Sequence, residues 1–192
     1  MCSSGGSHIS LLRKRIKRYL QTKHSSMNTI SFGTEYLQEL ESEVRATRKC
    51  LELIPESKYE WKPHVKSMNM GYLVLLVADI PRWITYTIEK SVIDFATYDQ
   101  FQLSTNAALL KHFEQNLEGA RRALQSVTNE QLAEPFYLKN SGQLLYTTPK
   151  KESIQSSINH WVHHRGQLTV YMRLNDIPVP SIYGPSADDR SF

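Results

Sequence analysis

The sequence predicts an all-α protein, a four-helix bundle of the up-down-up-down type. Four stretches of roughly 20 residues repeat apolar side chains at the spacing of one helix face. No stretch sustains the alternation of a β-strand. The chain of 192 residues is long enough to bury a core of ordinary size, and consecutive helices of this length typically pack as a bundle. A long loop before the last helix and an extended C-terminal segment complete the prediction.

The first half of the chain predicts two helices. Apolar residues at helical spacing mark helix one over residues 31–54, and Pro55 ends it because proline cannot donate the backbone hydrogen bond of a further turn. Helix two is predicted over residues 67–88. Its middle is apolar almost all round, so it should be the most buried helix. Pro81 lies inside it and should kink or break it.

The second half of the chain predicts two more helices and the long loop between them. Helix three is predicted over residues 104–127 and helix four over residues 149–175, where Pro149 suits the first position of a helix. Residues 134–148 are irregular and predict the loop, with a strand-like piece as an alternative. A loop of that length usually has a function. Residues 176–185 hold too many prolines for a regular element and should lie extended over the domain.

Basic charge is concentrated in an N-terminal tail. The net charge is +4, yet residues 1–26 contain six of the 23 basic residues and no acidic one. The other 17 basic residues stand against 19 acidic ones, so residues 27–192 form a domain with a net charge of −2. That domain lacks the basic excess that nucleic-acid binding requires. The tail is interpreted as a segment outside the native protein, with Met27 as the natural start. A targeting or membrane-surface arm and plain disorder are the alternatives.

The apolar runs and the cysteines predict the cellular location of the protein. The longest apolar run, residues 73–78, is far shorter than the roughly 20 residues of a membrane span, so no membrane insertion is expected. Cys2 and Cys50 form no disulfide framework, which favours the reducing cytoplasm. No reactive-site signature surrounds Cys50, so it is interpreted as a small packed residue rather than a nucleophile.

A histidine pair in helix four is the candidate functional feature. His160 and His164 are four residues apart, which places them on one helix face with Cβ atoms roughly 5–6 Å apart. Two imidazoles in this arrangement can hold one divalent metal ion, although such pairs also occur on helices that bind no metal. His163 should point elsewhere and is interpreted as a neighbour. An apolar stripe beside the pair favours imidazoles that face the protein interior, and it consists of Ile154, Ile158, Trp161, Leu168 and Met172.

The C-terminal third of the chain resembles the signature of a known family. The matching residues are His160-x-x-His163-His164-Arg165-Gly166-Gln167-Leu168, Tyr171-Met-Arg173-Leu174 and Tyr183-Gly184-Pro185, with Trp61-Lys62-Pro63 and Ile80-Pro81-x-Trp83 upstream. Together they are similar to the DinB-like family, over about residues 30–189. The resemblance implies a four-helix bundle that binds a divalent metal of the Zn, Ni or Fe type and that often forms a homodimer. Some members resemble S-transferases that use bacillithiol or mycothiol, and others are described as metal-dependent hydrolases.

The resemblance also implies which residues bind the metal, and here the chain departs from the pattern. Members use three histidines, one on helix two and two that are four apart on helix four. His160 and His164 match the second pair, whereas Leu76 stands at the position of the first histidine. Two imidazoles and a leucine make a weakened site. Asp79 or His64 are alternative sources of a third donor, although each is interpreted first as an ordinary polar residue.

The sequence therefore leaves two functions open. The first is a metal-dependent hydrolase or thiol S-transferase of unknown substrate, with His160 and His164 as ligands of a degenerate site. The second is a non-catalytic member that binds a ligand or acts as a structural, stress-associated bundle, which Leu76 favours. Arg165 beside the pair is interpreted as an intramolecular ion-pair partner that fixes helix packing. A membrane-surface role of the basic tail is a weaker third possibility.

Overall fold

Four long helices and a small sheet make up the part of the chain that the computed structural model describes, residues 31–191. The predicted tail of residues 1–26 lies outside the described residues. A short 3-10 turn, Glu56–Lys58, follows the first helix. The elements in chain order are α1 Phe32–Glu52, α2 Met70–Glu89, β1 Val92–Asp94, α3 Asn106–Ser126, the short α4 Asn129–Ala133, β2 Pro135–Asn140, β3 Gln143–Pro149 and α5 Lys150–Leu174.

The core lies between α1, α2, α3 and α5, and the predicted four-helix class is confirmed. α2 contributes the longest buried run, as its apolar middle predicts. Each large apolar side chain that is fully buried there contributes about 1.5–3 kcal/mol to folding. Among residues 31–191, no helix has the length and apolar character needed to cross a membrane. The side chains at the centre include Leu40, Leu73, Val77, Phe113, Leu117, Ile158, Trp161 and Leu168.

The predicted up-down-up-down order of the helices is wrong, because α2 and α3 run parallel. His112 of α3 lies 2.9 Å from Asp79 of α2, and further along a methyl group on Gly119 would lie 3.1 Å from Thr85. Both pairs advance in the same direction along the two helices. α1 is antiparallel to α3, and α5 is antiparallel to α2, as ion pairs and hydrogen bonds along their lengths show. The order is therefore up, down, down, up.

The segment between α2 and α3 explains this order. Residues 90–105 leave the end of α2, form β1, and then return along the side of α2. Tyr98 donates to the carboxylate of Asp79 at 2.5 Å, and Arg82 donates to the carbonyl of Asp99 at 2.7 Å. A segment of this length can extend for about 50 Å, which exceeds the roughly 30 Å of a 20-residue helix. A short connection would have forced α2 and α3 to be antiparallel. The connection over residues 90–105 is long enough for them to run parallel.

The long loop predicted over residues 134–148 is wrong for most of its length, and the strand-like alternative applies, because β2 and β3 form an antiparallel hairpin there. β1 adds to it in parallel, with the order β1-β2-β3. The hairpin turns at Ser141 and Gly142, whose φ angles of 51° and 78° suit a tight two-residue turn. Asp94 accepts hydrogen bonds from both of their amides, at 2.9 and 2.7 Å. The turn is thus fixed by a residue from a distant part of the chain.

The C-terminal segment lies without helix or strand along α1 and α5, as predicted. Arg165 of α5 forms a buried ion pair with Glu43 of α1 at 2.5 Å, which agrees with the packing role predicted for it. Tyr183 of the segment donates its hydroxyl to Glu43 and accepts from Arg165 at 2.8 Å. Lys49 and Asp189 pair nearby at 3.3 Å. These bonds attach the segment to both helices.

Candidate functional site

The two predicted histidines converge at the middle of α5. The Nε2 atoms of His160 and His164 lie 2.6 Å apart, with ring centroids 4.4 Å apart. The one-turn spacing therefore brings the two rings to a common point. His163 is exposed, and its ring approaches His164 edge-on at 5.1 Å without a hydrogen bond between them. It is a neighbour of the pair, as predicted.

A hydrogen bond to Gln167 decides which nitrogen of His164 carries the proton. The Nδ1 atom lies 2.7 Å from Oε1 of Gln167. Since an amide oxygen only accepts, Nδ1 carries the hydrogen and Nε2 keeps a lone pair directed at His160. Fixing the outer nitrogen in this way is how proteins orient a histidine that binds metal. Gln167 is thus a positioning residue that sequence reasoning missed, although its i+3 spacing from His164 carried the signal.

The two imidazoles differ in burial. His164 is 8% exposed, which agrees with the predicted inward orientation. The same prediction is wrong for His160, which is exposed and packs edge-on against Trp83 of α2 with centroids 5.3 Å apart. Burial, and then the neighbouring imidazoles, lower the pKa of His160. Burial lowers the pKa of His164 as well, partly opposed by its bond to Gln167. Both rings are therefore biased toward the neutral form that binds metal.

Leu76 lies on the helix that faces the histidine pair. Trp161 of α5 donates to the carbonyl of Val77 of α2 at 2.8 Å. Because α2 and α5 are antiparallel, Leu76 stands at about the level of the turn that follows Trp161, which carries His164. Its side chain is half-buried and lines an apolar cavity of about 130 Å³. An apolar group thus occupies the helix-two position that the resemblance assigns to a ligand.

The two alternative donors are engaged elsewhere. Asp79 gives one carboxylate oxygen to His112 and the other to Tyr98. His64 is exposed and accepts from the amide of Lys66 at 3.2 Å. Within residues 31–191, no group of three or more histidine, cysteine, aspartate and glutamate side chains is placed to hold a metal ion. Sequence reasoning missed the Asp79–His112 pair, because nothing local connects residues 33 positions apart.

The histidine pair fits two ligand positions of a metal ion and not three. Bonds of about 2.0–2.1 Å from each nitrogen to one ion require nitrogens roughly 3 Å apart, so a small ring movement from 2.6 Å is sufficient. The lone pair fixed on His164 suits such a bond. The described residues supply no third protein donor, and a three-histidine site does not fit.

An apolar cavity of about 300 Å³ begins at His160 and extends between α2, α5 and the sheet. Three of its wall residues, Phe136, Leu138 and Tyr146, come from the segment that the sequence predicted as loop, so their role could not be recognised from local pattern. Trp83, Ile93 and Phe95 also line the smaller cavity beside Leu76. The two cavities therefore share one wall. The larger cavity is lined by Trp83, Phe95, Phe136, Tyr146, Ser157 and His160, among others.

Cys50 takes no part in this site. It is a free, fully buried thiol in α1. Burial raises its pKa to about 11, so the thiolate that would act as a nucleophile is disfavoured. The interpretation of Cys50 as a packed residue agrees with this environment.

Comparisons with known proteins point to one family. A family model described as the DinB family matches residues 25–190. A DinB-like protein from Bacillus subtilis aligns with a TM-score of 0.61 and 21% identity, over 81% of this chain and 99% of that one. A DinB-like protein from Bacillus cereus ATCC 10987 aligns with a TM-score of 0.61 and 20% identity, over 77% and 95% of the two chains. At these identities the structures show a shared fold.

Two further relatives match over shorter parts. A mycothiol-dependent maleylpyruvate isomerase aligns with a TM-score of 0.50 and 11% identity, over 71% of this chain and 62% of that one. Uncharacterized protein YrdA of Bacillus subtilis (strain 168) is 44% identical over 41 residues, which is 21% of this chain. That match spans 25% of the length of YrdA.

Proposed function

The chain belongs to the DinB family, and we propose that it is a thiol-dependent enzyme that binds a divalent metal ion through His160 and His164. The observation that carries the proposal is the 2.6 Å approach of the two Nε2 atoms, together with the Gln167 bond that leaves a lone pair on His164. The mycothiol dependence stated for one structural relative supports the thiol. A metal-dependent hydrolase is the variant of this proposal in which water takes the place of the thiol.

The missing third histidine suits an ion that takes its other ligands from outside the protein. Zinc accepts a thiolate beside two nitrogens as readily as a third imidazole. When bound, the ion lowers the pKa of a water or thiol at an open position. The chain itself orients the His164 imidazole through Gln167, and partial burial lowers the pKa of both imidazoles, which favours their neutral form.

The cavity at His160 indicates the kind of substrate. Its volume of about 300 Å³ and its mostly aromatic and aliphatic walls suit the apolar part of a small molecule. Ser157 and Tyr146 add polar atoms to its wall. A substrate that occupies it brings its reacting group beside the histidine pair, and its apolar part lies away from water.

A second candidate function is non-catalytic ligand binding, which Leu76 favours. If the leucine has replaced a ligand and no ion binds, the apolar cavities on the two sides of Trp83 are the remaining functional feature. The bundle would then bind an apolar small molecule without chemistry. Metal content separates this function from the first.

Elemental analysis and zinc titration of protein without a histidine tag test the proposal. Wild type should bind a divalent ion, and the double variant His160→Ala, His164→Ala should not. His163→Ala is the matched control, because it removes an exposed histidine from the same helix while leaving the pair intact. Binding by the double variant equal to that of wild type, or no binding by either, contradicts the metal-dependent function.

Three further expectations remain predictions. The homodimer implied by the resemblance calls for sedimentation equilibrium of residues 27–192. The cytoplasmic location can be tested by fractionation of cells that express the full chain. The role of residues 1–26 can be tested by comparing the binding of anionic vesicles by the full chain and by a chain that begins at Met27.

A further inference from the structure

A buried carboxylate–imidazole pair lies on the side of α2 that faces α3. The Nε2 atom of His112 is 2.9 Å from Oδ1 of Asp79 and 2.9 Å from the amide nitrogen of Asn116. A carboxylate accepts only, so Nε2 carries the hydrogen and donates to Asp79. Asn116 donates instead to the carbonyl of Ala78 at 2.9 Å. The second ring nitrogen, Nδ1, therefore holds the lone pair when the imidazole is neutral.

Asp79 is fixed by its other neighbours. Tyr98 donates to its second oxygen at 2.5 Å, and the guanidinium of Arg82 lies 4.0 Å from the first. Burial, and then the charge of Asp79, raise the pKa of Tyr98, so this hydroxyl remains a donor. The carboxylate is thus held by donors on both sides and keeps His112 in one orientation.

The free nitrogen of His112 faces open space. Nδ1 has no hydrogen-bond partner among residues 31–191. It is also absent from the buried, unpartnered side-chain atoms of that region, which are the hydroxyls of Tyr59 and Thr85. His112 is 7% exposed and Phe101 stacks on its ring with centroids 4.1 Å apart, so access is from one edge. That edge meets a cavity of about 430 Å³.

The chemistry of this cavity differs from that of the cavity at His160. Its wall is polar, with the side-chain amides of Gln100, Gln102 and Gln115 and the guanidinium of Arg82, which donates to the exposed carboxylate of Asp99 at 3.4 Å. Among the residues that the structure describes, the charged groups that contact His112 or line its cavity are Asp79, Arg82 and Asp99, and the titratable hydroxyl of Tyr98 lies on Asp79. An acceptor nitrogen, a cation and several amides in one cavity match a ligand that offers both an O–H donor and an anionic oxygen.

We propose that this cavity is a second ligand site, specific for a small hydroxy acid. The ligand hydroxyl donates to Nδ1 of His112, and its carboxylate takes the place of the exposed Asp99 carboxylate beside Arg82 and accepts from the glutamine amides. The site lies where α2 meets α3, the histidine pair lies on α5, and the site needs no metal, so it stands independently of the function proposed above. A purely structural Asp79–His112 pair would join α2 to α3 but would show no preference for such a ligand.

Labelling of the wild-type protein with diethyl pyrocarbonate tests the site, because this reagent modifies neutral imidazoles at an accessible nitrogen. Mass spectrometry of the folded protein should show His112 modified at a rate within about tenfold of that of exposed His64. Glycolate should slow modification of His112 and leave His64 unchanged. Acetate lacks the hydroxyl and ethylene glycol lacks the carboxylate, so each should protect less than glycolate.

Two variants test whether the protection by glycolate arises in this cavity. Gln115→Leu alters an exposed residue of the cavity wall and should abolish the advantage of glycolate over acetate. Gln125→Leu is the matched control on the exposed surface of the same helix, and it should behave as wild type. Absence of labelling at His112 in the folded protein overturns the site. Equal protection by glycolate and acetate in wild type, or protection that persists in Gln115→Leu, overturns it as well.

Discussion

The indole of Trp161 donates a hydrogen bond of 2.8 Å to the carbonyl of Val77. That carbonyl is the one that Pro81, four residues later, cannot satisfy, because proline has no backbone N–H. α2 therefore continues through Pro81 to Glu89, so of the two predicted outcomes, a kink or a break, the break does not occur. The indole of Trp161 in α5 replaces the missing backbone donor. The same hydrogen bond fixes the packing of α5 on α2 near the level of His164.

The first prediction concerns this replacement. Trp161→Phe should lower the free energy of unfolding by about 1–3 kcal/mol beyond the lost packing, because the Val77 carbonyl stays buried without a donor. In a Pro81→Ala background, the new backbone N–H satisfies that carbonyl, so the cost of Trp161→Phe should fall by about 1 kcal/mol. Urea unfolding of the four proteins of this cycle measures the coupling.

The control for that cycle is Trp61→Phe. Trp61 is a half-buried tryptophan that packs edge-on against Tyr171, away from Pro81. Its substitution should cost the same in both backgrounds. A cycle in which Trp161 and Pro81 show no coupling would mean that the indole is not the donor that this carbonyl needs.

The second prediction concerns the ligand position on α2. Leu76→His adds an imidazole at the level of His164 and should tighten zinc binding by about 100-fold or more, because a third protein ligand completes the usual catalytic set. Isothermal titration of tag-free protein gives the affinity. Leu75→His is the matched control, since Leu75 lines the same small cavity from the next position of the helix. An equal gain in both variants, or no gain in Leu76→His, would show that residue 76 does not face the histidine pair.

The third prediction concerns the ion pair between Arg165 and Glu43. Arg165→Leu removes the cation and leaves Glu43 buried without a counter-charge, which should cost about 3–5 kcal/mol of unfolding free energy. Arg121→Leu breaks a more exposed ion pair, with Glu41, and should cost at most about 1 kcal/mol. Chemical denaturation of the two variants compares them. Equal costs would argue that burial adds nothing to the Arg165 pair.

The fourth prediction concerns pH and the hairpin. Hydrogen bonds from the backbone amides of Ala96 and Gly142 hold the pKa of Asp94 below its usual value. Since the pKa is lower in the folded state, ionised Asp94 stabilises the turn above about pH 4, and this contribution is lost as the pH falls through the lowered pKa. Hydrogen exchange at the amides of Ser141 and Gly142 should therefore lose protection at acid pH.

Asp94→Ala should remove that protection at neutral pH and abolish its dependence on acid. Asp99→Ala is the control, because Asp99 is an exposed carboxylate of the same connecting segment that accepts from Arg82 and not from the hairpin. Slow exchange of both turn amides in Asp94→Ala would assign their protection to the strand pairing alone.

The local sequence pattern predicted much of the candidate site but little of the structure around it. The spacing of His160 and His164 was sufficient to place both rings on one helix face, because helical geometry relates residues four apart. Leu76 was placed from the resemblance, and the antiparallel packing of α2 and α5 agrees with its level. The cavity walls and the Asp79–His112 pair could not be predicted, because they bring together residues that are far apart in the chain. Their contact depends on the path of residues 90–105, which no local sequence rule describes.

The sequence by itself determined that four long helices form, roughly where each begins and ends, and that two histidines share one face. These properties follow from apolar periodicity and from proline, which act within a few residues. Only the tertiary structure decided that α2 and α3 run parallel and that residues 135–149 pair as a hairpin on β1. It also decided that Trp161 supplies the hydrogen-bond donor that Pro81 lacks. Each of these depends on hydrogen bonds between distant residues, which become favourable only when the packed core excludes water from the competing polar groups.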